Sequence, residues 1–229
     1  MKKSVLTLIV IVSTASLIIA ILMLPGRSRT FFLLNNKSNF TNPGSLDADD
    51  LSWSSSPLLS TDQRNGNDNK MLTYENSTYG IRMQYPSNWH KEQNLSSGSD
   101  NDSMLVDVVK FSSPAKNASD TFSESLDLKI DNISDIQPIT LAKYANNSIE
   151  DLRKDFDVIK LDRNATLSDN PAYKLVYNGA EEGVNLQAML ILTIKGDKAY
   201  IISYNAEPAK FSYYLPMLQK MIDSFQITK

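Results

Sequence analysis

Apolar positions along this chain follow three successive patterns. From Ser4 to Leu24 they run without a charge, with the body VLTLIVIVSTASLIIAILML, and would cover every side of a helix. From about Asn35 to Lys70 they thin out to Leu46, Leu51, Trp53, Leu58 and Leu59, without period, among Asn, Ser, Asp and Gly. From Leu72 onward they alternate, or recur at helical spacing, as in a folded domain. The patterns predict a signal anchor over residues 1–27, a polar stalk over 28–70 and a domain over 71–229.

At about 1.5 Å per residue the apolar run is roughly 30 Å long as a helix, enough to cross the hydrocarbon core of a bilayer. A cleaved secretory signal has a shorter apolar region and small residues at its end. Here the small residues lie mid-stretch, around Ser13 to Ser16, so an uncleaved transmembrane helix is expected. The stalk holds too little apolar surface to offset the entropy of ordering it.

Within the domain, Leu72–Tyr74 and Ile81–Tyr85 read as short strands joined by a turn. In the second, Ile81, Met83 and Tyr85 alternate with Arg82 and Gln84, the mark of a half-buried strand. Pro86 ends it, and Trp89 follows with a large surface to bury. Met104–Phe111 predicts a strand with Leu105, Asp107 and Val109 on one face and Val106, Val108 and Lys110 on the other. Leu126–Ile130 predicts another. Thr140 then offers an N-cap to a helix whose face is Leu141, Ala145, Ser148, Ile149, Leu152 and Phe156. Strands are expected at Val158–Asp162 and Ala172–Tyr177, separated by a turn rich in Asn, Asp and Pro. Leu186–Ile194 and Ala199–Tyr204 form the clearest hairpin, where Gly196 suits a type II′ turn. Phe211, Leu215, Leu218, Ile222 and Phe225 stripe a closing helix, with Pro216 expected near its start. These elements predict an α+β fold, an α/β/α sandwich with a central antiparallel sheet, preceded by the transmembrane helix.

The net charge of −3 and the lack of a dense basic cluster argue against nucleic acid as a partner. With no Cys there is no disulfide, thiolate metal site or Cys nucleophile. The sequence presents no constellation of catalytic or metal-ligating residues, so no enzyme activity, cofactor or metal is expected. The lone His90 is more often a loop residue than a ligand or base, because both roles need convergent partners. Glu181 and Glu182 in YNGAEEGVN are better read as a solvated hairpin tip than as an acid–base pair. Asp47-Ala48-Asp49-Asp50 and TDQRNGNDN lack the calcium-loop register. Asp100-Asn101-Asp102 needs no ligand. Tyr173 with Tyr177, and Tyr200 with Tyr204, share strand faces; they are better read as core-edge residues whose hydroxyls reach solvent than as the lining of a groove for a sugar or peptide.

The acceptor pattern Asn-x-Ser/Thr occurs at Asn36, Asn39, Asn76, Asn94, Asn101, Asn117, Asn132, Asn146 and Asn164. Composition alone would give roughly three or four matches, and all of these follow the anchor. They are the candidate glycosylation sites. Lys2 and Lys3 nearly balance Arg27 and Arg29, so the acceptors decide the orientation: N-terminus inside, domain extracytoplasmic, in a single-pass cell-membrane protein.

YGIRMQYPSNW from Tyr79, VVKFSSP from Val108, NPAYKLVYNG from Asn170, KGDKAYIISYNAEP from Lys195 and the closing MIDSF together resemble a PsbP-like domain. The resemblance runs from about Leu72 to the C-terminus and implies the α/β/α sandwich. The family's namesake is an extrinsic photosystem subunit that helps retain calcium and chloride, but no metal-site residue carries over from a motif. The expected function is a non-catalytic, membrane-tethered interaction or accessory module that docks on a protein at the membrane surface. The alternative is a domain that binds a small ligand or a calcium-type ion.

Overall fold

The strand pair with the longest alternation builds the centre of the domain. In the computed structural model, residues 70–93, 105–115, 122–181 and 184–228 are described. The predicted anchor and all but the last residue of the predicted stalk lie outside them. β1 (Met71–Asn76), β2 (Ile81–Pro86), β3 (His90–Gln93), β4 (Leu105–Ser112) and β5 (Ser125–Asn132) precede α1 (Leu141–Leu152). β6 (Asp157–Leu167), β7 (Asn170–Glu181), β8 (Val184–Lys195), β9 (Lys198–Ala206), α2 (Pro208–Asp223) and β10 (Gln226–Ile227) complete the chain.

Seven strands form one antiparallel sheet in the order β3-β4-β5-β9-β8-β7-β6. Hairpins put β8 beside β9 and β7 beside β6, and β5 closes against β9 after the α1 excursion. A second antiparallel sheet, β1-β2-β10, is separate from it. The seven-stranded sheet is the expected central antiparallel sheet; the opening hairpin does not join it but pairs with the last two strand residues. The fold is α+β, rich in antiparallel sheet, with two helices among the described residues. None of those residues forms a helix long and apolar enough to cross a membrane.

Alternation sorts the sheet residues into two cores. On one face Leu126, Leu128 and Ile130 of β5, Met189 and Ile191 of β8, and Tyr200, Ile202 and Tyr204 of β9 meet Phe211, Leu218 and Ile222 of α2 and Met83 of β2. On the other, Leu190 and Leu192, Ala199 and Ile201, and Tyr173, Leu175 and Tyr177 meet Tyr144, Ala145, Ile149 and Leu152 of α1. Burying each large side chain stabilises the fold by about 1.5–3 kcal/mol before chain entropy is counted. Trp89 is buried as expected, edge-on to Tyr214 with centroids 5.9 Å apart.

Thr140 caps α1 as expected, its Oγ1 accepting from Lys143 N at 3.2 Å. The helix stops at Leu152, so Phe156 lies in the turn beyond it rather than on its face. Tyr144, which the predicted stripe omitted, is fully buried. Gly196 turns the β8–β9 hairpin with φ 63°, while Asp197 keeps a negative φ, as a type II′ turn requires. Pro216 lies in the middle of α2, not near its start. The helix begins earlier because Pro208, after the extended Glu207, occupies the first turn, where a missing N–H costs nothing.

β6 runs well past Asp162, through two register irregularities, to a tight turn at Ser168-Asp169. Both turn residues have positive φ, 50° and 61°. Asn170 Nδ2 donates to Ser168 O at 2.6 Å, and Ser168 Oγ accepts from Ile227 N at 2.8 Å, so this turn also holds β10. β3, with the sequence HKEQ, is an edge strand bonded on one side only. It has no apolar alternation to announce it.

Candidate functional site

One irregularity in β4 creates the most polar surface of the sheet. Asp107 pairs with Lys129, but the next paired residue is Val109, opposite Leu128. The extra residue, Val108, is a bulge, and it resets the alternation. Simple alternation would put Lys110 opposite to Asp107. The bulge puts both on the α1 face, and Val109 on the α2 face with Val106.

Cross-strand pairs share a face, so register reads this surface directly. One row runs Glu92, Lys110, Asp127, Ser203, Leu190 across β3, β4, β5, β9 and β8. The next runs His90, Ser112, Ser125, Asn205, Ala188. Toward α1 the rows turn apolar, at Leu190 and Tyr177. Toward β3 they are wholly polar: Ser203 (1%), Asn205 (7%), Ser125 and Lys110 are buried, Asp127, Ser112 and Glu92 half-buried, and His90 exposed.

Within this quadrant the charges are paired. Lys129 Nζ lies 2.5 Å from Asp107 Oδ1. Asp127 Oδ2 accepts from Ser125 Oγ at 2.9 Å and from Asn205 Nδ2 at 3.2 Å. Burial raises the Asp127 pKa, against the downward pull of Lys110, Lys129 and the Ser125 hydroxyl. Asp131 accepts from Tyr144 Oη at 2.9 Å, and burial, then the Asp131 charge, drives the Tyr144 phenol far above its usual range. His90 Nε2 sits 3.5 Å from Glu92 Oε1, both side chains largely in solvent. Two atoms of these rows stand apart: Ser203 Oγ and Asn205 Oδ1 are buried with no hydrogen-bond partner among the described residues.

The opposite face holds two tighter clusters. Ser113 Oγ donates to Glu124 Oε2 at 2.8 Å, and Lys210 bridges Glu124 at 3.2 Å and Glu207 at 2.6 Å, fastening the start of α2. Lys174 Nζ, 3.2 Å from Gln219 Oε1, is buried, and desolvation lowers its pKa to about 8.

The sequence candidates are dispersed. Tyr173 and Tyr177 lie in the α1-side core and Tyr200 and Tyr204 in the α2-side core, so the two pairs cannot line one groove. The sheet itself separates them. Glu181 ends β7 opposite Val184; Glu182, Asp47 to Asp50, the TDQRNGNDN segment and Asp100 to Asp102 lie outside the described residues. So do Asn36, Asn39, Asn94, Asn101 and Asn117. Among the described residues no group of three or more acidic or histidine side chains could hold a metal ion. The polar quadrant was missed because it depends on the β4 bulge and on β3. The polar alternation Ser125, Asp127, Lys129, Asp131 was the available signal.

Three of the four remaining acceptors have a common geography. Asn132 ends β5 opposite Lys198, at the β8–β9 turn. Asn164 lies near the β6–β7 turn. Asn76 ends β1 opposite Ile81, which pairs with Ile227, itself tied to the β6–β7 turn. All three belong to one end of the domain. The chain enters at the other end, where Lys70 O accepts from Ser87 N at 2.8 Å, just before Trp89 and β3. Asn132, Asn164 and Asn146, on the outer face of α1, are exposed; Asn76 is half-buried.

The family described as PsbP-like protein matches residues 52–227. Among curated proteins no match was found. Of solved structures, cyanobacterial PsbP (CyanoP) from Synechocystis is similar at 16% identity, with 75% of this chain and 99% of that one covered and a TM-score of 0.49. LpqN of Mycobacterium tuberculosis, described as involved in cell envelope biogenesis, is similar at 13% identity, covering 70% and 91%, with a TM-score of 0.47. A Pseudomonas aeruginosa protein of unknown function, PA94, is similar at 17% identity, covering 66% and 92%, with a TM-score of 0.44.

Proposed function

The chain belongs to the PsbP-like protein family, and on that footing we propose that it is a non-catalytic accessory module held at the extracytoplasmic face of a membrane. The anchor is the Ser4–Leu24 stretch, and the polar segment after it spans from the bilayer to the domain. One observation carries the reading. The acceptors Asn76, Asn132 and Asn164 lie at the end of the domain opposite to the one where the chain enters. Bulky glycans there would shield that end from partners. β1 alone separates the two ends by roughly 20 Å.

The entry end, around Ser87, Trp89, His90 and the start of α2, is the surface that meets a protein partner in the membrane. Two measurements test this. Protease added to intact cells should remove the domain, and cross-linking of the full chain in its native membrane should trap a stoichiometric partner through that end. A domain that is protected until lysis overturns the location. A chain that cross-links to nothing overturns the docking role.

A further inference from the structure

We propose that the polar quadrant of the seven-stranded sheet is a binding site for a neutral polyhydroxyl ligand of the sugar class, which hydrogen-bonds Ser203 and Asn205. The inference does not depend on the membrane-tethered reading. It starts from the two buried atoms without partners, Ser203 Oγ and Asn205 Oδ1. A buried polar atom left unpaired costs about 1–3 kcal/mol. Two of them, on alternate residues of β9, point to the same side of the sheet.

Their chemistry restricts what can satisfy them. Asn205 already spends an N–H on Asp127, so its carbonyl oxygen asks for a donor. The Ser203 hydroxyl can donate or accept. A ligand group that does both at once is a hydroxyl, and two neighbouring hydroxyls would reach both atoms. Charge selects against anions: Lys129 is matched by Asp107 and Lys110 faces Asp127 across the row, while Glu92 and Asp131 add negative charge. No group of acidic side chains among the described residues could hold a metal ion. Carboxylates that accept hydrogen bonds suit a neutral ligand rich in hydroxyl donors.

There is also a route in. Exposed His90 and half-exposed Glu92, Ser112 and Asp127 lie between solvent and buried Asn205 and Ser203, with Lys110 and Ser125 buried among them. A sugar edge entering over β3 would pass side chains that hydrogen-bond at every step. Ala188, beside Asn205, adds little bulk to the floor, and Tyr177 beyond it limits the site with an aromatic wall.

The test uses the full-length protein in detergent and saturation-transfer NMR on glycerol, glucose, mannose and N-acetylglucosamine. Transfer to at least one sugar is expected. Ser203→Ala should weaken it about ten-fold, the loss of one good hydrogen bond. Because the Ser203 hydroxyl has no partner in the fold, that variant should melt no lower than the parent, which separates lost binding from lost structure. Ser203→Thr, which keeps the hydroxyl, should retain transfer. No transfer to any of the four, or transfer that Ser203→Ala leaves unchanged, overturns the proposal; the two atoms then hold ordered water alone.

Discussion

At the scale of single residues, the domain's buried ionisable groups show where stability is concentrated. Tyr144 ties the α1 core to the charged rows, its Oη donating to Asp131 Oδ2. Tyr144→Phe keeps the ring in place and removes a hydrogen bond to a carboxylate, so it should cost about 1.5–3 kcal/mol in chemical denaturation. Lys174 makes the opposite case. Its folded pKa of about 8 lies below the 10.5 of a free lysine. Between those values the unfolded chain holds a proton that the folded chain has released, so this group's contribution makes stability rise with pH across that window. Lys174→Met abolishes the effect. The variant should be the more stable at about pH 7, and its advantage should shrink by up to roughly 3 kcal/mol as pH climbs toward 10. Denaturation curves for both proteins at matched pH decide this, and a constant difference would refute it. Gly179 tests packing rather than charge. A Cβ there would lie 2.3 Å from Cδ1 of Phe156, whose ring packs edge-on to Tyr177 at 5.4 Å. Gly179→Ala must push that ring aside and should cost about 1–3 kcal/mol.

At the scale of elements, legibility followed the amount of apolar surface each element buries. β8 and β9 were readable because almost every residue is buried and the turn between them carries the glycine its geometry needs. α1 and its Thr140 cap were readable for the same reason, apart from Tyr144. β3 was not, since HKEQ lies at a sheet edge and buries nothing fully. β10 was not, since its two residues pair only because α2 delivers them to β2. The β4 bulge was invisible because alternation is a local rule, while Val108 is displaced by the register of β5. The polar quadrant inherits that blindness. The β6–β7 turn shows the converse: Ser168-Asp169 carries none of the Asn-Gly signal of a type I′ turn yet has both positive φ angles. Ser168 is retained there by its bond to Ile227. Asp169 makes no such contact in the hydrogen bonds of this turn, so Asp169→Gly should relieve backbone strain and raise stability by about 0.5–1 kcal/mol. Thermal unfolding would show it, and a lower midpoint would mean the aspartate has a role the backbone geometry does not reveal.

At the scale of the whole molecule, the question is what the domain's two ends are for. The acceptor asparagines are not equivalent, and their differences make the orientation testable. Asn76 is already occupied: its Nδ2 donates to Tyr74 Oη at 3.1 Å, and its Oδ1 accepts from Thr78 N at 3.1 Å and Tyr79 N at 3.3 Å. A glycan on that nitrogen must form before the turn closes, or break the tyrosine bond. Asn146 and Asn164 present exposed side chains, and Asn132 bonds only the backbone of Ser134 through its oxygen, leaving its nitrogen outward. If the domain is extracytoplasmic, glycopeptide mass spectrometry should find Asn132, Asn146 and Asn164 occupied and Asn76 occupied least. Stability should follow the reverse order. Asn76→Gln removes the cap of the β1–β2 turn and should cost about 1–2 kcal/mol, whereas Asn146→Gln and Asn164→Gln should fall within about 0.5 kcal/mol of the parent. Glycans on the distal end would then do two things at once. They would block partners from that side, and they would favour docking through the face by which the chain is tethered. Bare asparagines at all four positions would remove the asymmetry, and with it the reason to assign docking to one end rather than the other.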